Sequence, residues 1–247
     1  MFQLCGEYDK TNLPSEYICQ VKYDGTLVSY DNGKIINRYG KDITRQFPEI
    51  KIEHLSCKVI GELCVFEQGK SIFERVLKRK VINNLKISIL SKVMKATLVI
   101  FDITKYEGED ISNRPLKERL SFLNNIKGTN LLLPELLKGS PEECLKLASA
   151  RGLEGIVIKD LTKPYILERN NNFLKFKCFR EEAFKIKGFE RTERGFVALL
   201  EDGIRVGVNN IKMRGLIESG SAKIMKVQYL ERTENNKLRL PTARGVL

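Results

Sequence analysis

Lys22-Tyr23-Asp24-Gly25 is the first stretch whose residue types can do chemistry. A lysine on a strand that faces a pocket becomes a nucleophile when burial or neighbouring cations lower its pKa. The same four residues also suit a surface lysine beside an Asp-Gly turn. Glu62 sits inside the apolar run from Val59 to Phe66, where a carboxylate is costly unless it meets a cation, a hydroxyl or a metal. Glu154 stands just before the apolar run Ile156 to Ile158, with Lys159 just after it. Lys175 and Lys177 flank Phe176, so on a strand their ammonium groups share one face. Paired lysines beside acidic residues can hold a polyphosphate while a divalent ion sits on the carboxylates. The solvated face of an amphipathic strand is the alternative account of that pair.

Other chemistries are excluded by composition. His54 is the one histidine, which rules out a multi-His metal site and points to a loop or surface role for that residue. The six cysteines lack zinc-type spacing and are expected as free, mostly buried thiols. Reactivity therefore rests on Lys, Arg, Asp and Glu. Among 247 residues, 43 Lys and Arg stand against 31 Asp and Glu, a net charge of +12. Such an excess suits a polyanionic partner, and its spread along the chain suits a folded basic face rather than a disordered arm. No apolar run approaches the ~18 residues that span a bilayer, and Met1 to Glu7 has no basic leader or apolar signal core. An intracellular protein without membrane contact is expected.

The groups named above need strands to hold them. Ile18 to Tyr23, Thr26 to Tyr30 and Lys34 to Tyr39 read as strands, the last two joined by the hairpin signal Asp31-Asn32-Gly33. Lys58 to Phe66, Thr97 to Asp102 and Gly155 to Ile158 read as further strands. Helical periodicity runs from Ser71 to about Leu90, broken near Asn83-Asn84, and again at Leu116, Leu120 and Leu123 after Pro115. Ser140-Pro141-Glu142-Glu143 is a capping box that starts another helix, which Gly152 ends. From Glu181 the texture changes to short strands between Gly turns (Phe184 to Phe189, Phe196 to Leu200, Ile204 to Val208, Lys223 to Tyr229), which suggests a small β-barrel of the oligonucleotide-binding type.

Taken in order, these segments resemble the covalent nucleotidyltransferases, and within them the ATP-dependent DNA ligases of a minimal two-domain, viral or phage-like type. Lys22-Tyr23-Asp24-Gly25 resembles their KxDG nucleophile motif, and Asn37 to Thr44 with Phe47-Pro48 their arginine segment beside the nucleotide and the nick. Gly61-Glu62-Leu63, Ile100-Phe101-Asp102, Leu153 to Lys159 and Phe173 to Lys177 are similar to the later motifs, and Asn113 to Leu120 to the ligase sequence between them. The resemblance implies an α+β fold. An ATP-grasp-like adenylation (nucleotidyltransferase) domain of antiparallel sheets with flanking helices would occupy residues 1–180, and an OB-fold barrel residues 181–247.

By that resemblance Lys22 attacks the α-phosphate of ATP, and the adenylate then passes to the 5′-phosphate of a nick that a 3′-hydroxyl seals. Gln20, Val21, Arg38, Glu62, Phe101, Glu154, Lys175 and Lys177 would bind the nucleotide. Phe101 would stack on the base, Arg38 would contact the ribose or the nick, and the two lysines would neutralise phosphate. Glu154 and Glu62 would hold Mg²⁺, with Mn²⁺ as a substitute. Lys41, Arg45, Lys78 and Arg79 are candidates for gripping nicked duplex DNA, the implied partner of a monomeric enzyme. Only 21 residues precede Lys22, too few for the extra domain of NAD-dependent ligases, so ATP is the expected cofactor.

Three positions depart from the pattern. Gln20 replaces a glutamate, though its amide oxygen can accept the same adenine hydrogen bond. Leu27 replaces an arginine, and the closing RxDK-type motif is not evident, leaving Arg239 or Arg244 to orient pyrophosphate. An RNA ligase or a guanylyltransferase that caps messenger RNA is the alternative enzyme. A non-catalytic nucleic-acid-binding protein would lack Lys22 or the motif carboxylates, and this chain keeps them.

Overall fold

The computed structural model describes residues 2–53, 56–193, 195–233 and 235–247; His54 lies outside them. The chain divides into two compact units, Met1–Phe176 and Lys177–Leu247. The sequence places the division four residues later, between 180 and 181. The strand Arg169–Lys177 runs through the observed division, and the long strand Arg180–Thr192 follows it after only two residues. No change of composition marks so short a join.

The first unit contains two main sheets. One has the strand order Leu4–Glu7, Arg169–Lys177, Gly155–Asp160, Tyr17–Val21, Leu136–Leu137. The other runs Leu131–Leu132, Ala96–Tyr106, Lys58–Glu67, Thr26–Asp31, Lys34–Asn37. Most pairs are antiparallel, but Leu4–Glu7 lies parallel to Arg169–Lys177, and Leu131–Leu132 parallel to Ala96–Tyr106. The sheets are therefore mixed rather than wholly antiparallel. The parallel partners are short edge strands from distant parts of the chain, for which local hairpin signals say nothing.

Alternation along the strands of the second sheet explains its core. Val59, Leu63 and Val65 join Leu98, Ile100 and Val28 in one buried apolar cluster, while Glu62 points to the other face. Gly61 has its own reason to be small: a Cβ there would come within 2.7 Å of the Val99 carbonyl oxygen. The expected break at Asn83-Asn84 is real and separates the helices Phe73–Lys78 and Asn84–Val93, the second capped by the Asn83 side chain accepting from the Lys86 N–H. The Ser140 capping box closes as expected on the helix Pro141–Ala150.

The second unit is a five-stranded antiparallel sheet in the order Arg205–Gly207, Gly195–Leu200, Arg180–Thr192, Ile224–Tyr229, Thr242–Val246. Its core comprises Phe184, Phe196, Val206, Met225 and Tyr229 among others. The sequence pattern does not announce the last strand or the helix Ile211–Glu218. Arg244 and Gly245 hide the strand, whose register shifts midway, and the helix start rests on Asn210 accepting from the Met213 N–H.

The helix Leu116–Leu123 is fastened to the second sheet by charge as well as by leucines. Arg119 and Asp102, both fully buried, meet through Nε–Oδ1 (2.9 Å) and Nη2–Oδ2 (2.8 Å) bonds, and Arg119 Nη1 also donates to the carbonyls of Arg114 and Lys163. Removing one partner leaves the other buried and unpaired. Asp102→Ala is expected to lower the unfolding free energy by about 3–5 kcal/mol, read by urea titration with circular dichroism, since the chain has no tryptophan.

Candidate active site

Lys22 lies one residue past the strand Tyr17–Val21, where the chain leaves the first sheet for the second. Its N–H still donates to the Gly155 carbonyl (2.9 Å). Because Val21 pairs with Ile156, that bond sets Lys22 beside Glu154, and Nζ meets Glu154 Oε2 at 2.7 Å. Three residues on, Gly25 passes so close to the neighbouring strand that a Cβ would stand 2.4 Å from the Leu63 carbonyl oxygen and 3.0 Å from Glu62 Cγ. The glycine is thus what lets the crossing segment run against Glu62. Leu27 then pairs with Glu62 across the sheet.

A lysine and two carboxylates, one from each sheet, meet at this crossing. Burial pulls the Lys22 ammonium toward deprotonation, but the charges of Glu154 and Glu62 outweigh it and hold the pKa above its ordinary value. Burial drives Glu62 the other way for an acid, up to about 8, with Glu154 and Asp24 adding repulsion and Lys22 and the Gly25 N–H opposing. Glu154 is thus ion-paired to the Lys22 ammonium, and Glu62 keeps its proton to a higher pH than an exposed carboxyl does.

Gln20 and Val21 are buried on the same strand, Gln20 opposite Val157 and Val21 opposite Ile156. Phe101 is half-buried on the strand Ala96–Tyr106 and packs with Phe2, Ile60 and Tyr165. Lys175 Nζ meets Glu7 Oε1 at 2.7 Å, and Lys177 ends the same strand as the first residue of the second unit. Arg38 is exposed on the turn after Lys34–Asn37, with its guanidinium 5.4 Å from the Tyr39 ring centre. Lys41 and Lys78 are exposed. Arg45 is exposed and donates through Nε to Asn84 Oδ1 (2.8 Å).

Arg79 is a correction. It is fully buried, bonds both carboxylate oxygens of Glu49 and donates to the Gln46 and Met94 carbonyls, so it cannot grip DNA. Its place in a Lys-Arg-Lys run hid this, because the distant Glu49 and not the local sequence decides it. Lys159 is the residue whose part was missed. It is buried, with Nζ 2.9 Å from the Phe101 carbonyl oxygen and 4.2 and 4.5 Å from the ring centres of Phe101 and Phe173. Burial lowers its pKa to about 8, against the pull of Asp102. A basic residue closing an apolar strand was the available signal.

A cavity of about 410 Å³ opens alongside, walled by Val21, Tyr23, Phe66, Thr97 and the Glu135–Arg151 pair; Lys22, Glu62 and Glu154 do not line it.

With the geometry in place, comparison identifies the family. Residues 6–177 match the family model of the ATP dependent DNA ligase domain. The chain belongs to that family. It is similar to the SPbeta prophage-derived DNA ligase-like protein LigB of Bacillus subtilis, 26% identical over 256 residues that cover 92% of this chain and 91% of that protein. It is 31% identical over 183 residues to a DNA ligase of Methanosphaera stadtmanae, covering 66% of this chain but only 33% of the longer archaeal protein. A solved Lig E DNA ligase shares the fold across 100% of this chain and 98% of that one, with a TM-score of 0.76 and 18% identity. The two units thus have the fold of a ligase nucleotidyltransferase domain and an OB-fold.

The Glu62 proton gives a stability test. The folded protein keeps it up to about pH 8 while the unfolded chain sheds it near 4.5, so between those values the folded state binds more protons and stability falls as pH rises. Glu62→Gln cannot lose that proton. Its melting temperature should decline less than the wild type's between about pH 5 and about pH 8, and identical slopes would clear Glu62 of the effect.

Proposed function

We propose that this protein seals nicks in duplex DNA with ATP, carrying the adenylate on Lys22. The observation that supports it is the half-buried Lys22–Glu154–Glu62 group at the crossing between the two sheets, in a member of the ATP-dependent DNA ligase domain family. The Lys22 amine, once it has given up a proton, attacks the α-phosphorus of ATP. A P–N bond forms, the bond to the β-phosphate breaks and pyrophosphate leaves. An oxygen of the 5′-phosphate at the nick then displaces the lysine, which takes back a proton. The 3′-hydroxyl oxygen, giving its proton to solvent, attacks that 5′-phosphorus; the phosphoanhydride bond to the adenylate breaks, the strand is joined and AMP leaves.

Positioning and charge neutralisation suffice for each step. Lys175 and Lys177 neutralise phosphate oxygens, Phe101 stacks on the base, and Gln20 accepts from its amino group. Among the described residues no three His, Cys, Asp or Glu gather to cage a metal. Two carboxylates at one site do fit Mg²⁺, which keeps most of its shell as phosphate oxygens and water. Glu154 and Glu62 would hold it, or Mn²⁺ in its place, and when bound it neutralises triphosphate charge. The protein acts on DNA inside the cell as a monomer, a net charge of +12 opposing self-association. Among the described residues no helix is long and apolar enough to cross a membrane.

Intact-mass spectrometry after mixing with ATP and Mg²⁺ should show a gain of one adenylate in the wild type and none in Lys22→Ala. A Lys22→Ala protein that still takes up AMP overturns the nucleophile. A wild type that takes up GMP from GTP instead, or joins nicks only between RNA strands, overturns the substrate.

A further inference from the structure

Residues 75–101 carry seven Lys or Arg and no Asp or Glu. Two of the seven are spent inside the fold, Arg79 on Glu49 and Arg75 on Glu67. Lys78, Lys80, Lys86, Lys92 and Lys95 are exposed. The helix Asn84–Val93 lies in this segment and is laid out unusually for a surface helix. Its apolar side chains Leu85, Ile89 and Val93 are 70%, 50% and 74% exposed, and Ile82, just before the cap, is 81% exposed. Only Ile87 is buried.

The spacing orders these residues around the axis. At about 100° per residue, steps of four carry Leu85, Ile89 and Val93 along one stripe. Lys86 and Lys92, three residues before and after Ile89, fall about 60° to either side of it, and Ile87 falls on the opposite face. An apolar ridge with a lysine on each flank therefore faces outward from a helix whose back is packed.

That ridge is held in place from behind. Arg79 ties the turn before the helix to Glu49 and Gln46 and to the Met94 carbonyl just beyond its end. Arg45 binds Asn84, the helix's first residue. Exposed Arg38 and Lys41 precede Arg45 by seven and four residues in the chain.

We propose that the outward face of this helix is a docking surface for the duplex on which the enzyme acts, with Lys86 and Lys92 on phosphates and the aliphatic ridge against deoxyribose between them. The inference rests on the DNA-ligase reading above and adds to it where the duplex is held. Charge complementarity decides the occupant. Twenty-seven residues without an acid repel a second copy of a chain charged +12, and they attract a polyanion. Apolar side chains on nucleic-acid surfaces pack on sugars and bases while flanking cations take the phosphates, as minor-groove proteins do with inserted aliphatic residues.

The test uses the full chain and a fluorescent nicked duplex, followed by anisotropy across a series of salt concentrations. Lys86→Glu with Lys92→Glu should weaken binding at least about tenfold and lower the salt slope by about two, one for each lost phosphate contact. Leu85→Ser, Ile89→Ser and Val93→Ser together should weaken binding with the slope unchanged. Both variants should take up adenylate from ATP at the wild-type rate. Unchanged affinity in either variant overturns the proposal. So does wild-type sedimentation with phosphatidylserine vesicles that both variants lose while still binding the duplex as the wild type does, since the face would then serve a membrane. A wild type that binds the duplex but takes up no adenylate overturns the ligase reading instead, and the same two affinities still judge this surface.

Discussion

One ammonium held by carboxylates from two sheets is the constraint that the first unit is built around. Glu154 enters the first sheet beside the strand that ends at Val21, while Glu62 stands in the middle of the second. Lys22 lies where the chain passes between them. None of the three is stable there alone: a buried carboxylate or ammonium without a partner costs several kcal/mol. Together they are tolerated, and the tolerance depends on backbone spacing. Gly25 gives the crossing chain its close approach to Glu62, and the bond from the Lys22 N–H to Gly155 sets the register to Glu154.

Much of this arrangement was legible because its residues violate local rules. Glu62 is a carboxylate in an apolar strand and Glu154 stands at the mouth of another, so each advertises a distant partner. The hairpin at Asn32-Gly33, the break at Asn83 and the Ser140 capping box were legible for a different reason, since the physics that makes them is contained in a few adjacent residues. What could not be read depends on contacts across long stretches of chain. Arg79 resembles its lysine neighbours in sequence, but Glu49, 30 residues away, folds against it. The parallel edge strand Leu4–Glu7 has its partner more than 160 residues along.

The positive charge of the chain is thus divided among separate uses that composition merges. Arg79 and Arg119 are structural: each is buried on a carboxylate and also donates to backbone carbonyl oxygens. Others, such as Lys86 and Lys92, face outward and carry the attraction for a polyanion. A net charge of +12 measures their sum and not their distribution.

Lys22 and Lys159 show how finely that distribution separates chemistry from architecture. Both are lysines packed into the same unit, Lys159 fully and Lys22 partly, yet their pKa values move in opposite directions. Lys159 finds a carbonyl and two aromatic rings, which solvate a cation less well than water does, so burial wins and the amine loses its proton more readily. Those same partners occupy the space around Nζ and leave no approach for an electrophile. Lys22 finds carboxylates, keeps its proton, and sits with its side chain 22% exposed. A resting nucleophile held as an ammonium is protected from stray electrophiles. A divalent cation held by Glu154 and Glu62 would weaken their hold on that proton and so favour the free amine.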